Sequence, residues 1–292
     1  MVSLDLRGLG FGTLMKRTVK EFLDDDMLTY AAALAYQVLF SLFPFLLFLI
    51  ALIGFLNVPN FFAWLRQQAA VLLPGQAIDQ VNQVIDQLQQ EKGGLLSFGI
   101  IVALWSASAG VRSTMNAMNI AYDVEESRPA WKRLPLSIIY TIALAIMLLL
   151  AAGFMVLGPQ VMGWLAGQIG LEQFVVTIWA WLRWPIAVIL LIVAVAMVYY
   201  VAPDVEQEFR FITPGSILAV VIWIVASLGF GYYVQSFADY NATYGSIGAI
   251  IVLLFYFYLS SAVLLFGAEL NAVIEHHSSE GKDPGEKQVN DK

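Results

Sequence analysis

Polar side chains recur every three or four residues along one segment of an otherwise apolar sequence. At this spacing the segment carries Ser108, Arg112, Asn116, Asn119 and Asp123. They share one face of a helix if that helix continues to about Tyr122. A face with an arginine and two amides cannot point at lipid, so it is predicted to line a bundle interior or a vestibule open to the cytoplasm. The alternative is that Arg112 is an ordinary anchor whose long side chain extends to water.

A second polar stripe lies in the first apolar segment, where Gln37, Ser41 and Pro44 follow i, i+4, i+7 spacing. The proline removes a backbone donor and frees the carbonyl of Phe40, which favours a kink. A kinked helix with an amide on its concave side could line a cavity. The alternative is a kink satisfied by neighbouring helices, with Gln37 bonded across an interface.

One acidic residue, Glu269, ends the last apolar segment. Arg112 and Glu269 both come at the ends of segments predicted to run from outside to inside, so they are expected at similar depth. The sequence predicts that they pair, with Arg112 in a polar pocket shared with Asn116, because an unpaired charge in this zone is costly. The alternative is that Arg112 extends to lipid phosphates and Glu269 pairs with another basic residue.

These candidates must be positioned by membrane-spanning helices. The 292-residue chain is 60% apolar and 13% charged, with a mean hydropathy of +0.75. A soluble core of this length could not bury so much apolar surface. The sequence therefore predicts an all-α polytopic membrane protein whose six spans fall at residues 31–56, 93–111, 134–157, 184–202, 212–237 and 246–268.

Basic residues predict the orientation. Twelve of the fifteen lysines and arginines fall on one side of these spans, which places both termini in the cytoplasm. The predicted organisation is a cytoplasmic segment at 1–30, a six-helix domain at 31–272 with an outer loop at 57–94, and a disordered cytoplasmic tail at 273–292.

Two amphipathic segments flank the predicted spans. Residues 14–23 place Leu14, Met15, Val19, Phe22 and Leu23 on one face, which predicts an interfacial helix on the cytoplasmic leaflet or a short helix packed on the bundle. Residues 76–90 have apolar residues at helical spacing in the outer loop. That helix could cap the outer mouth of the bundle or be an ordinary loop helix.

The residues that most enzymes need are absent or misplaced. The chain has no cysteine, and its two histidines, His276 and His277, adjoin near the C-terminus. No catalytic residue, cofactor or metal site is predicted, and the loop acids Asp204, Glu206 and Glu208 are only a weak metal candidate. A net charge of −7 argues against nucleic acid as a partner.

Four segments carry a family resemblance. Residues 31–49 (AAALAYQVLFSLFPFLLFL), 108–126 (SAGVRSTMNAMNIAYDVEE), 203–219 (PDVEQEFRFITPGSILA) and 240–272 together resemble the YihY/BrkB family of bacterial inner-membrane proteins. The resemblance covers about residues 13–275. It implies six transmembrane helices with both termini in the cytoplasm. The family was once labelled ribonuclease BN, an assignment that is regarded as mistaken. Family members are linked to virulence and serum resistance and relatives to lipid or lipopolysaccharide export, with no established catalytic residues.

Together these observations favour a transporter or lipid-handling protein of the bacterial inner membrane, one that exports a lipid or another amphiphile. Membrane lipids are the expected partners, and Arg112 suits a phosphate headgroup. The alternatives are a membrane scaffold or partner of an envelope complex and, less favoured, an intramembrane enzyme. The candidate pathway residues are Gln37, Ser41, Pro44, Ser108, Arg112, Asn116, Asn119 and Glu269.

Overall fold

The structure gives the bounds of seven α-helices within the part of the chain that it describes. The computed structural model describes residues 10–55, 93–167, 172–205, 211–236 and 240–276, together with 63, 66, 67, 82 and 86, and side chains over part of these ranges. The helices are α1 Phe11–Asp24, α2 Met27–Phe55, α3 Gly93–Ala121, α4 Ala130–Gly167, α5 Glu172–Val201, α6 Pro214–Ser236 and α7 Tyr240–His276. Within the described ranges there is no strand, which confirms the all-α class.

Among the described residues, four stretches are long and apolar enough to cross a membrane: Ala130–Met147, Thr177–Val201, Pro214–Val234 and Ile250–Glu275. A shorter apolar stretch, Met27–Leu42, lies in α2. Large apolar side chains point outward from these helices, such as Leu228 at 72% and Trp181 at 77% exposure. Outward apolar surface on long helices is the pattern of a membrane protein. The count of six spans remains a prediction, although each predicted segment falls almost entirely within one of α2–α7.

The helices contact one another in a closed cycle. Each of α2 to α7 packs against the next helix in the chain, α7 returns to α2, and α3 also touches α7. The buried core at these contacts includes Met27, Met115, Met118 and Leu265. The cycle explains why polar residues distant in sequence meet between helices.

Helix α1 docks on α7 through one face. Leu14 packs with Leu270 and Val273, and the ring of Phe22 meets that of Phe266 edge-on at 5.5 Å. The predicted apolar face therefore divides in two, because Leu14 and Phe22 are buried whereas Val19 and Leu23 stay exposed. The structure therefore shows the second alternative, a short helix packed on the bundle, and Val19 and Leu23 form an apolar edge that stays exposed.

The predicted polar face of α3 ends earlier than expected. The helix stops at Ala121, and Asp123 has a φ of 47°, in the left-handed region. The N–H of Asp123 donates to Ile120 and that of Val124 to Asn119, which is the Schellman pattern of helix ends. Asp123 is thus in the turn after the helix and not on its face.

A close crossing joins the start of α6 to α7. A Cβ added at Gly215 would collide with the carbonyl oxygen of Gly267, and the Gly215 N–H donates to Asn271 Oδ1 at 2.8 Å. Nearby, the hydroxyl of Tyr199 on α5 donates to the Leu264 carbonyl at 2.7 Å. Backbones this close require glycine, so this crossing fixes how α5, α6 and α7 pack.

Pro185 lies inside α5. Helix α5 begins at Glu172, so the proline does not mark its start, although the span predicted at 184–202 begins one residue before Pro185. Pro214 is the first residue of α6, two residues after the predicted start of that span at 212, and a proline is well tolerated at this position. The predicted outer-loop helix at 76–90 lies outside the described residues except Asn82 and Asp86, and so does the tail from 277 onward.

Candidate functional site

Arg112 lies between α3 and α4 among hydroxyl groups. Its Nη1 donates to Ser108 Oγ at 2.6 Å and to Ser137 Oγ at 3.2 Å. Both serines are fully buried, and each donates its own proton to a carbonyl, Trp105 for Ser108 and Leu134 for Ser137, at 2.7 Å. The serine lone pairs are therefore oriented to accept from the guanidinium.

The charge of Arg112 is not neutralised by a carboxylate. Among the described residues Arg112 has no acidic ion-pair partner, and Arg133 of α4 acts on it as a like charge. Arg133 Nη2 donates to Asn116 Oδ1 at 2.7 Å, while its buried Nε has no hydrogen-bond partner and lies 3.9 Å from Glu126 Oε2. The predicted pocket shared by Arg112 and Asn116 is wrong, because Asn116 bonds to Arg133.

The predicted ion pair between Arg112 and Glu269 is also wrong. Glu269 is 1% exposed and hydrogen-bonds to Asp25, the C-cap residue that follows α1. A second α1 acid, Glu21, acts on Glu269 as a like charge. The pair fails because Arg112 faces α4 whereas Glu269 faces α1.

A third polar cluster, which we call the loop clasp, joins the loop after α3 to the residues after α5. It consists of Asn119, Glu126, Ser127, Arg128 and Asp204. Arg128 Nε donates to Glu126 Oε1 at 2.5 Å and lies 3.5 Å from Asp204 Oδ1, and its Nη2 donates to the Ala202 carbonyl at 3.1 Å. Ser127 donates to Asp204 Oδ2 from its N–H at 2.7 Å and from its hydroxyl at 2.6 Å.

Asn119 supports this loop clasp from the end of α3. Its Nδ2 donates to Glu126 Oε2 at 3.0 Å, and its Oδ1 accepts from the Asp204 N–H at 2.7 Å. Asn119 is buried, so both halves of its amide are used structurally. Asn119 therefore holds the loop in place, and its place on a substrate path stays a prediction.

Electrostatics favours the ionised form of both acids in the loop clasp. Burial alone would raise the pKa of Glu126, but the hydrogen bonds and charge of Arg128 and the amide of Asn119 outweigh it, and the pKa falls below its usual range. Burial likewise opposes ionisation of Asp204, yet bonds from Ser127 and the charge of Arg128 lower its pKa. The loop clasp is thus charged at neutral pH.

The α2 candidates lie apart from Arg112. Ser41 Oγ donates to the Val38 carbonyl at 3.2 Å and faces Gly110, where an added Cβ would lie 3.0 Å from that oxygen. Position 110 is about 200° around the helix from 108 and 112, at about 100° per residue. The structure therefore brings Ser41 to one side of α3 and Arg112 to the other. Gln37 is half-buried, and Pro44 lies inside α2 as predicted.

Sequence reasoning missed several partners. Ser137 and Asp25 gave no signal, because a serine in an apolar segment and an acid beside other acids are both ordinary. Arg128 and Arg133 were interpreted only as positive charges that set orientation. The one signal in the sequence for an ion pair was that Glu126 and Arg128, of opposite charge, lie two residues apart in a short loop.

These features define an all-α integral membrane protein with charged and polar groups buried at its helix ends. The chain belongs to the BrkB family, because the family model described as "Virulence factor BrkB" matches residues 18–292. The resemblance drawn from the sequence is confirmed.

Individual relatives support this membership. The chain is 39% identical over 247 residues to the ribonuclease-like protein YfkH of Bacillus subtilis (strain 168), covering 84% of this chain and 88% of YfkH. It is 29% identical over 269 residues to a UPF0761 membrane protein of Xanthomonas axonopodis pv. citri (strain 306), covering 90% of this chain but 61% of that protein. No solved structure matches the chain significantly.

Proposed function

We propose that the protein is a lipid-handling transporter of the bacterial inner membrane, which moves an amphiphile with an anionic headgroup. Arg112 carries the proposal. It is a half-buried guanidinium held by two serine hydroxyls and faced by a second arginine, with no ion pair to a carboxylate in the described chain. Such a group retains the capacity to bind a phosphate or carboxylate.

The face of α3 that carries Arg112 also has the shape of an amphiphile site. Ile101, Trp105, Ser108 and Arg112 follow each other at helical spacing, and the first two are large apolar side chains at 65% and 55% exposure. An acyl chain fits beside the apolar part and a headgroup beside the guanidinium. On the predicted topology the arginine end is cytoplasmic, so the substrate enters from the inner leaflet.

The test is lipid movement in proteoliposomes that contain the purified full chain. Arg112→Gln removes the charge but keeps polar bulk, and Lys132→Gln removes an exposed charge nearby as a control. A hydrogen bond to a charged group is worth about 1.5–3 kcal/mol, which corresponds to roughly a tenfold to hundredfold slower movement of an anionic phospholipid in Arg112→Gln.

Zwitterionic phospholipid should move at a similar rate in all variants. Equal movement of anionic lipid in Arg112→Gln and the unmodified protein would contradict the role of Arg112. If the unmodified protein moves no more lipid than empty liposomes, the transport proposal fails, and a scaffold role in an envelope complex is the better explanation.

A further inference from the structure

Two arginines on different helices lie at the same interface, between α3 and α4. Across it, Arg112 Nη1 donates to Ser137 Oγ at 3.2 Å, and Arg133 Nη2 donates to Asn116 Oδ1 at 2.7 Å. Positions 112 and 116 are one turn apart on one face of α3, as are 133 and 137 on α4, so the two bonds are reciprocal contacts between facing helices. Each helix therefore directs one guanidinium toward the other.

Both guanidiniums keep donors for a further acceptor. Arg112 uses a single nitrogen, Nη1, for its bonds to Ser108 and Ser137, so its Nε and Nη2 have no acceptor in the described part of the chain. Arg133 donates from Nη2, and its buried Nε has no hydrogen-bond partner. A buried donor without an acceptor costs free energy, so this interface favours an additional acceptor.

The charges of the ion-pairing side chains here do not balance. Arg112 forms no ion pair with a carboxylate of the described chain. Arg133 lies 3.9 Å from Glu126 Oε2, but both oxygens of that carboxylate already accept from Arg128, at 2.5 Å and 2.9 Å. Arg128 also lies 3.5 Å from Asp204. These three arginines and two carboxylates leave one positive charge in excess, which an anion would neutralise.

The offset between the two guanidiniums favours a phosphate over a carboxylate. Arg112 and Asn116, the α3 residues that mark the two places, are four residues and so about 6 Å apart along the helix axis. A carboxylate holds its two oxygens in one plane, where a single guanidinium fork fills them. A phosphate directs its oxygens tetrahedrally, so two forks can bind it from different directions.

We propose that Arg112 and Arg133 form one two-arginine site, which binds the phosphate of an anionic lipid between α3 and α4. The proposal rests on the proposed function for its lipid, and it adds a second headgroup-binding residue and the class of headgroup. The exposed apolar side chains of Ile101 and Trp105 lie on the Arg112 face of α3, beside which the acyl chains would pack. A fatty acid, whose carboxylate needs one fork, should use Arg112 alone.

Energy transfer from the tryptophans of the full chain to a pyrene on an acyl chain measures binding in phosphatidylcholine nanodiscs. The probes are pyrene-labelled phosphatidic acid and a pyrene-labelled fatty acid. Arg112→Gln should weaken the binding of both probes. Arg133→Gln should weaken phosphatidic acid binding about tenfold to hundredfold, the usual range for a lost charged hydrogen bond, and should leave fatty acid binding within about twofold.

Glu126→Gln is the matched control for damage to the loop clasp. It removes the carboxylate beside Arg133 but keeps the guanidinium, so phosphatidic acid should bind as tightly as before or more tightly, because a like charge is lost. Lys132→Gln removes an exposed neighbouring charge and should change neither probe. Arg133→Lys keeps the charge without the fork, so it should bind phosphatidic acid with intermediate affinity and keeps the test possible if Arg133→Gln does not fold.

Equal losses of phosphatidic acid binding in Glu126→Gln and Arg133→Gln would overturn the proposal, because a disrupted loop clasp would explain both. Equal losses of both probes in Arg133→Gln would overturn the phosphate class, and displacement of phosphatidic acid by equimolar inorganic phosphate would overturn the lipid. A loss in Arg112→Gln alone would refute the second arginine and leave the proposed function standing. Two-arginine binding without lipid movement in proteoliposomes would refute transport and leave the site standing.

Discussion

The loop clasp allows a quantitative prediction for Arg128. Replacing Arg128 with methionine removes the cation and its donors but keeps an unbranched side chain. The variant removes the cation that lies against both Glu126 and Asp204, so that Glu126 keeps only the Arg133 contact at 3.9 Å, and it leaves the Ala202 carbonyl without its donor. The loop between α3 and α4 should then separate from the end of α5.

The magnitude follows from burial. Removing one partner of a buried ion pair costs about 3–5 kcal/mol, whereas an exposed pair contributes roughly 0–1 kcal/mol. The side chains of Arg128, Glu126 and Asp204 are 15%, 17% and 19% exposed, closer to the buried limit. We therefore expect Arg128→Met to lower the free energy of unfolding by about 3 kcal/mol.

Reversible unfolding in mixed micelles of detergent and SDS measures this free energy. Lys132→Met is the matched control, because Lys132 lies nearby in the sequence and its exposed ammonium lies over the exposed ring of Trp131, 5.2 Å from the ring centroid. The control should change stability by less than about 1 kcal/mol.

A double-mutant cycle decides whether the ion pair is responsible. Glu126→Gln and Arg128→Met should be non-additive, because the second change removes a partner that the first has already neutralised. Additive effects, or a loss in Arg128→Met no larger than in Lys132→Met, would refute the electrostatic reasoning.

Four further predictions concern other parts of the molecule. The folded structure lowers the pKa values of Glu126 and Asp204, so their contribution to stability should be complete above their unfolded-state pKa values of about 4. That contribution should be lost as falling pH protonates the two carboxylates. The free energies of unfolding of Arg128→Met and the unmodified protein should therefore converge toward pH ~3. Gly215→Ala should destabilise by about 1–3 kcal/mol through collision with α7, while Gly229→Ala, which has open space, should be neutral or slightly stabilising in the same unfolding assay. Pro44→Ala should fold normally, because it restores a backbone hydrogen bond, and slower lipid movement in liposomes would show that the kink shapes the path. Reporter fusions at the C-terminus should be active only as cytoplasmic reporters, and a periplasmic C-terminus would overturn the orientation predicted from the basic residues.

Periodicity and composition predicted the helices well, because every helix that crosses the hydrocarbon layer needs about 20 mostly apolar residues. Each predicted apolar segment lies almost entirely within one helix, and α6 begins at Pro214, two residues after the predicted start at 212. Helix ends were less accurate. The structure places Pro185 within α5, and it ends α3 at a left-handed Asp123. Both depend on local turns and neighbouring helices that hydropathy does not encode.

Partners of the buried charges could not be predicted from spacing. The depth argument for Arg112 and Glu269 used only their order along the chain and the direction of each predicted span. It could not tell which neighbour each face would meet, because that depends on how α3 and α7 rotate in the bundle. Glu269 meets Asp25, which is 244 positions earlier in the chain, and no local pattern links them.

The charges that could have neutralised each other are instead separated. Arg112 and Arg133 lie together between α3 and α4, whereas Glu269, Asp25 and Glu21 lie together between α7 and α1. Arg133 still reaches a carboxylate, Glu126, at 3.9 Å, and Glu126 is also bonded to Arg128. Arg112 keeps a positive charge that forms no ion pair with a carboxylate of the described chain. An anionic headgroup between α3 and α4 would supply that partner, which is the physical basis of the proposed function.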